Sequence, residues 1–256
     1  MNKLERDYSG DYVIISPHRK KRPIEGEKKI CHFCPENEKE TGKSTQELKN
    51  EKGEWLIRSV KNKYSLALEN EVHEVIIETR KHKLFRDFDE TEIKQCYDFY
   101  QERIKQLKEK YEYLYLFKNE GPTAGASLKH AHSQIISFPK KIIKKNETAI
   151  NGDTLKDNKE TQTIIPTNTK HSYEIIIKCK RENSEIANLT EEEKTEISSE
   201  LKKIIGKVNY DYNILHHDHP YHAHVIFRKN VWAGIELGLH IYVKETTINE
   251  LRGIFK

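Results

Sequence analysis

Two histidines and a glutamine, His130, His132 and Gln134, stand at alternate positions just after a glycine-bearing run, Asn119 to Ser127. The stretch that follows, Gln134-Ile135-Ile136-Ser137-Phe138, is rich in β-branched residues and reads as a strand, on which alternate side chains share a face. A neutral imidazole can ligate a metal or attack phosphorus. An amide can donate to phosphoryl oxygens, and a glycine-bearing loop can turn backbone N–H groups toward a phosphate. A bare His-x-His would serve equally as a pair of metal ligands. The glutamine and the upstream loop tip the reading toward covalent chemistry on a nucleotide phosphate.

A second motif is Cys31-His32-Phe33-Cys34-Pro35. Cys-x-x-Cys is a metal hook or a redox pair, and metal is the stronger reading because polar loop residues rather than a βα unit surround it. Cys96 falls in a helical pattern and Cys179 in a strand pattern, so both read as buried small side chains.

The elements that must position these groups come in two copies. Glu74-Val75-Ile76-Ile77, Phe88-Asp89-Glu90, a helical stretch, Tyr111-Glu112-Tyr113 and His130-Ala131-His132 recur as Glu174-Ile175-Ile176-Ile177, Leu189-Thr190-Glu191, a helical stretch, Tyr210-Asp211-Tyr212 and His222-Ala223-His224. The separations are 100, 101, 99 and finally 92 residues. Asp89-x-x-Glu92 and Thr190-x-x-Glu193 read as capping boxes that start the helices. Ile93, Cys96, Tyr97, Tyr100, Ile104 and Leu107 make the apolar stripe of the first helix, and Ile197, Leu201, Ile204 and Ile205 that of the second. The order strand, helix, strand, loop, strand predicts an α+β fold, with antiparallel sheets and helices packed on them. The domains expected are a catalytic unit over 1–145, a linker over 146–170 and a second unit over 171–256. The second copy lacks the glycine-bearing loop and has Ile226 in place of the glutamine, so one half carries the chemistry.

Composition narrows the partners. The 256 residues carry 45 basic and 41 acidic side chains, a net charge of +4, which is no polyanion-binding balance. Nucleic acid is therefore not expected as a partner. No apolar run approaches the ~20 residues of a membrane span, and the N-terminal residues have no apolar signal core. The expected location is the cytoplasm.

Seven segments in order carry a family resemblance: 10–23, 31–35, 60–64, 73–78, 117–121, 130–134 and 232–238. The chain resembles the galactose-1-phosphate uridylyltransferase family, a branch of the histidine-triad superfamily built from two such units. The resemblance implies ping-pong transfer of UMP from UDP-glucose to a hexose 1-phosphate, a step of galactose metabolism, through a uridylyl-histidine. His132 would be the nucleophile and Gln134 the donor to the phosphoryl oxygens. Arg19, Arg22, Asn62, Asn119, Gly125 and Ser127 match positions around the nucleotide and its phosphates, and Glu236 matches a hexose-binding position. Cys31, Cys34, His82 and His130 match the family's zinc ligands, with His73 a rival ligand better read as a polar residue at a strand start. Some members hold a second metal, for which His216, His222 and His224 are the candidates here, with Glu147 of the linker. A homodimer is the expected assembly.

Two departures bear on the substrate. The chain is short for the family, and the glutamine that grips the sugar phosphate has no clear counterpart, Tyr242 standing near its place. Relatives with the Glu236-Leu237-Gly238 pattern include nucleoside-diphosphate-sugar phosphorylases, in which inorganic phosphate is the acceptor. An ADP- or GDP-sugar phosphorylase is thus the alternative enzyme. A nucleotide-binding zinc protein without turnover is the alternative of another class.

Overall fold

The computed structural model describes residues 2–21, 30–143 and 150–256. In chain order its strands and helices are β1 (Lys3–Arg6), β2 (Tyr12–Ile15), β3 (Ser44–Lys49), β4 (Trp55–Lys61), β5 (His73–Ile77), α1 (Glu90–Lys108), β6 (Tyr113–Glu120), β7 (His132–Phe138), β8 (Gly152–Asp157), β9 (Thr161–Pro166), β10 (Glu174–Cys179), α2 (Glu191–Lys207), β11 (Tyr212–His217), β12 (His222–Phe227), α3 (Gly234–Leu239) and α4 (Ile248–Phe255). The fold is α+β with antiparallel sheets, as expected. Among the described residues no helix is long and apolar enough to cross a membrane.

The duplication is visible in the strand order. One half runs β3-β4-β5-β7-β6 and the other β8-β9-β10-β12-β11, all antiparallel. Each half thus repeats hairpin, strand, helix, strand, strand. The linker expected over 146–170 is therefore corrected: residues 152–166 are the second copy's opening hairpin. The hairpin was hidden by its polar composition. The faces of β9 alternate between buried and half-exposed only at its start, and Thr161 and Thr163 are buried threonines held by the carboxylates of Glu196 and Glu200. Such residues read as loop by hydropathy and as strand by β-branching.

Both helices start as their capping boxes require. The Asp89 N–H donates to Glu92 Oε2 at 3.0 Å and the Glu92 N–H to Asp89 Oδ1 at 2.8 Å, and Thr190 and Glu193 exchange the same pair of bonds. Every residue of the two predicted apolar stripes is buried, as are Cys96 and Cys179.

The chain divides into two units, 1–84 with 102–117 and 127–145, and 85–101 with 118–126 and 146–256. The division falls between 145 and 146, and 85–101 and 118–126 also count with the second unit. The reason lies in the first half of α1. Gln101 donates to the Leu189 carbonyl at 2.9 Å, Lys194 pairs with Asp98, and the hydroxyls of Tyr97 and Tyr221 meet at 3.0 Å.

In the first unit the second half of α1 is fixed by charge. Arg103 Nη2 and Nε donate to Glu74 Oε1 and Oε2 at 2.6 and 2.8 Å, and the Ser59 hydroxyl donates to Oε2 at 2.7 Å. Glu74 is 1% exposed on the second residue of β5, so this carboxylate is fully supplied with donors away from water. Removing one partner of such a pair strands the other. Arg103→Leu should lower unfolding free energy by about 3–5 kcal/mol in urea titration, and a loss under ~1 kcal/mol would show that the pair is not the clamp described.

Candidate active site and metal centre

The first unit brings two groups of predicted residues together. The thiols of Cys31 and Cys34 and the imidazoles of His82 and His130 offer one donor atom each, all within 4.8 Å of one another. His130 Nδ1 lies 3.4 Å from Cys31 Sγ and 3.7 Å from Cys34 Sγ, and His82 Nδ1 lies 3.4 Å from Cys34 Sγ. The other nitrogen of His130, Nε2, donates to the Thr79 carbonyl at 2.8 Å. That bond fixes the tautomer and leaves the Nδ1 lone pair for a cation, as metal-ligating histidines require. Burial lowers the His130 pKa below its ordinary value, so the ring is neutral. Burial first, then neighbouring Cys31, push the Cys34 thiol up to about 12. Two sulfurs and two imidazoles so arranged fit a tetrahedral soft-to-borderline ion. Among the described residues no other set of His, Cys, Asp and Glu converges in this way.

The second group surrounds His132. β7 opens at His132 and pairs antiparallel with β5, Ile77 opposite His132 and Val75 opposite Gln134. His130 precedes the ladder and turns to the Cys31–Cys34 cluster, while His132 and Gln134 line a cleft of about 110 Å³. Its walls include Arg19, Phe33, Asn62, Tyr64, Ser127 and Leu128. His132 Nδ1 donates to the carbonyl oxygen of His130 at 2.7 Å. The proton is held on Nδ1, and the Nε2 lone pair is the nucleophilic one. Phe33, between the two cysteines, meets the ring of His132 at 5.2 Å and that of His130 at 5.9 Å, both edge-on. The metal loop therefore also packs the candidate nucleophile.

Arg19 reaches the rim of the cleft with Nη1 bonded to the Tyr64 carbonyl at 2.7 Å. Asn62 donates to Gln134 Oε1 at 3.3 Å and accepts from the Tyr64 N–H at 2.8 Å. Arg22 and Glu147 lie outside the described residues. Asn119, Gly125 and Glu236 count with the second unit. There Asn119 Oδ1 accepts from Asn213 at 2.8 Å, and Glu236 caps its own helix by accepting from the Ala233 N–H at 3.0 Å.

The glycine-bearing loop departs from the expectation of an open phosphate cradle. The N–H groups of Gly125 and Ala126 donate to the carbonyls of Pro122 and Gly121, each at 3.0 Å, and the Thr123 N–H donates to Asp211 at 2.8 Å. Gly121 and Gly125 adopt positive φ, 88° and 84°, because the loop closes on itself. A Cβ on Gly121 would fall 1.9 Å from Asp211 Oδ1, so any other residue would displace that carboxylate and strain the backbone at positive φ.

In the second unit the histidines sort by strand parity. His217 pairs with His222 across the β11–β12 hairpin, and the rings of His217, His222 and His224 lie 5.0–5.2 Å apart on one face. His224 Nδ1 meets Glu174 Oε1 at 2.5 Å. His216 points to the opposite face, where its Nδ1 contacts the Tyr221 hydroxyl at 2.8 Å and burial pulls its pKa down to about 3. The grouping of His216 with His222 and His224 is thus corrected to His217, since alternate residues of a strand face opposite ways.

Sequence reasoning gave Phe33 no role and read His73 as a polar residue at a strand start. His73 is 4% exposed, with Nε2 3.0 Å from Gln134 Oε1. Its strand parity with Val75 was the available signal, once β5 is known to lie beside β7.

The metal centre predicts about one tightly bound ion per chain. Because closed thiolate sites are folding elements, Cys34→Ser should abolish stoichiometric metal in elemental analysis. It should also cost at least ~3 kcal/mol, or about 6–12 °C in Tm. Stable, folded protein with neither metal nor any response to chelator would contradict this.

Known proteins similar to this chain agree with the resemblance. An ADP-glucose phosphorylase of Arabidopsis thaliana is 29% identical over 160 residues, 50% of this chain and 46% of that protein, so the match spans about half the plant enzyme's length. Galactose-1-phosphate uridylyltransferase of Haemophilus influenzae is 23% identical over 82% of this chain and 73% of its own. Among solved structures, the Arabidopsis ADP-glucose phosphorylase with bound ADP-glucose superposes with a TM-score of 0.77 at 21% identity, covering 100% of this chain and 98% of that one. The uridylyltransferase-like fold is thereby shown, and the relatives are enzymes of nucleotidyl transfer and phosphorolysis. Residues 14–141, half of the chain, match the family described as the N-terminal domain of a domain of unknown function, DUF4931, and the chain belongs to that family.

Proposed function

We propose that the chain moves a nucleoside monophosphate from a nucleoside diphosphate sugar to an acceptor phosphate through a covalent intermediate on His132. The observation that carries this reading is the bond from His132 Nδ1 to the His130 carbonyl, which leaves Nε2 as the nucleophile beside Gln134 in the cleft. In the first half-reaction Nε2 attacks the α-phosphorus. An N–P bond forms, the bond to the bridging oxygen breaks, and sugar 1-phosphate leaves with that electron pair. The ring becomes cationic, and the His130 carbonyl stabilises its Nδ1–H. Gln134 donates to the phosphoryl oxygens as charge shifts onto them. In the second half-reaction an acceptor phosphate oxygen attacks, the N–P bond breaks, and neutral His132 is restored.

Arg19, Arg22, Asn62, Asn119, Gly125 and Ser127 are the proposed nucleotide contacts and Glu236 the proposed hexose contact. Zinc is the proposed ion for Cys31, Cys34, His82 and His130. When bound it supplies no step, only a fixed loop that holds His130 and Phe33 in place.

Two acceptors have support. The Haemophilus relative and the segments shared with its family favour uridylyl transfer from UDP-glucose to galactose 1-phosphate. The Arabidopsis relative, and the missing counterpart of the glutamine that grips the sugar phosphate, favour ADP-glucose with inorganic phosphate as acceptor. Isotope exchange separates them. Protein incubated with UDP-glucose or ADP-glucose plus labelled sugar 1-phosphate should pass label into the nucleotide sugar with no second acceptor present, which is the mark of a ping-pong route. Net turnover with galactose 1-phosphate against inorganic phosphate then names the acceptor. His132→Asn should reduce exchange by at least about 10⁴-fold. Steady turnover without any exchange would rule out the covalent route.

A further inference from the structure

The residue His73 has no part in the chemistry above, yet it is buried and its ring faces the same cleft wall as Gln134. Its hydrogen bonds determine more than its own placement. The backbone N–H of Leu66 is 2.9 Å from His73 Nδ1. A backbone N–H can only donate, so Nδ1 is an acceptor and the ring proton sits on Nε2. That Nε2–H is 3.0 Å from Gln134 Oε1. Asn62 is oriented by the same logic. Its Oδ1 accepts from the Tyr64 N–H at 2.8 Å, so its Nδ2 is a donor, and it stands 3.3 Å from the same Gln134 oxygen. Two donors converge on one acceptor, which accounts for the 3.2 Å between Asn62 Nδ2 and His73 Nε2.

A glutamine amide is symmetric in shape but not in polarity. Free in a cleft, it presents oxygen or NH₂ to a ligand with little preference. Oxygen toward an anion repels; NH₂ attracts. Two donors on Oε1 remove the choice. We propose that His73, with Asn62, is a positioning residue that locks the Gln134 carboxamide with oxygen inward and Nε2H₂ toward the cleft, making it a donor to phosphoryl oxygen. The chain of command runs from Leu66 N–H through the imidazole to the amide. This deepens the proposed function and rests on it for the identity of the phosphoryl group, but not for the orientation of the amide. The cost of a flipped amide is a lost transition-state donor, which elsewhere lowers rates by about 10²–10³-fold.

The test is a double-substitution cycle in the full chain, with single-turnover nucleotidylation as the readout and Tm and metal content as controls. His73→Leu should slow nucleotidylation about 10-fold or more, with nucleotide affinity changed much less, since the amide acts as charge shifts. His73→Gln keeps an amide donor at the Nε2 position and should recover most of the rate, which a merely space-filling role would not require. Gln134→Leu should be slow by itself, and His73→Leu added to it should cause no further loss. Multiplying losses would overturn the proposal. The tautomer is read separately by ¹⁵N NMR of the ring, where Nδ1 should report as unprotonated and Nε2 as protonated. A proton on Nδ1 overturns the proposal whatever the kinetics. That measurement needs no substrate, so wild-type protein that forms no nucleotidyl adduct but shows this tautomer would sink the proposed function and leave the inference standing.

Discussion

The peptide carbonyl of His130 is the constraint on which the site depends. Its oxygen accepts the Nδ1–H of His132 at 2.7 Å, and its own side chain is tied at one nitrogen to the Thr79 carbonyl and at the other to the Cys31–Cys34 cluster. The backbone that sets the His132 tautomer is thus fixed by the imidazole of His130. An imidazole whose Nδ1 proton were free to exchange with Nε2 would present a lone pair to phosphorus only part of the time. Here the strand pairing of β5 with β7, the metal loop and Phe33 act together to hold a single orientation.

Duplication explains why such a site appears once. Both halves have the same strand order and a His-Ala-His at the same place, and both place an Nδ1 against a carbonyl two residues upstream, His132 on His130 and His222 on Pro220. In the second copy His224 is instead engaged by Glu174, and Ile226 follows where the first copy has Gln134. There Glu174 occupies the Nδ1 of the residue equivalent to His132, and an isoleucine cannot donate to a phosphoryl oxygen. The scaffold is shared, and the copies differ in Ile226 for Gln134, in the partner of the matching glutamate (Arg103 for Glu74, His224 for Glu174) and in the loop.

Much of this was legible in the residues. Capping boxes and apolar stripes are local signals, so both helices and their buried faces could be read directly. Cysteine spacing named the metal hook, and the family resemblance added His82 and His130 to it. What escaped depends on register. Whether His216 or His217 joins His222 turns on the length of a hairpin turn, and parity flips with one residue. The β8–β9 hairpin escaped because buried threonines bonded to carboxylates look polar in sequence. The inward N–H groups of the 121–126 loop escaped because glycine states that a sharp turn is possible, not which way its donors face. The contact of His73 with Gln134 escaped because the two lie 61 residues apart and become neighbours only when β5 pairs with β7.

The central claim is a nitrogen–phosphorus bond on one ring nitrogen. Wild-type protein incubated briefly with UDP-glucose or ADP-glucose, quenched at alkaline pH where a phosphoramidate survives, and analysed by intact mass and peptide fragmentation tests it most directly. The account predicts a gain of a single nucleoside monophosphate located on His132, absent in His132→Asn and discharged by the acceptor. Turnover of either nucleotide sugar with no adduct on His132, or an adduct on another residue that persists when His132 is replaced, would contradict it.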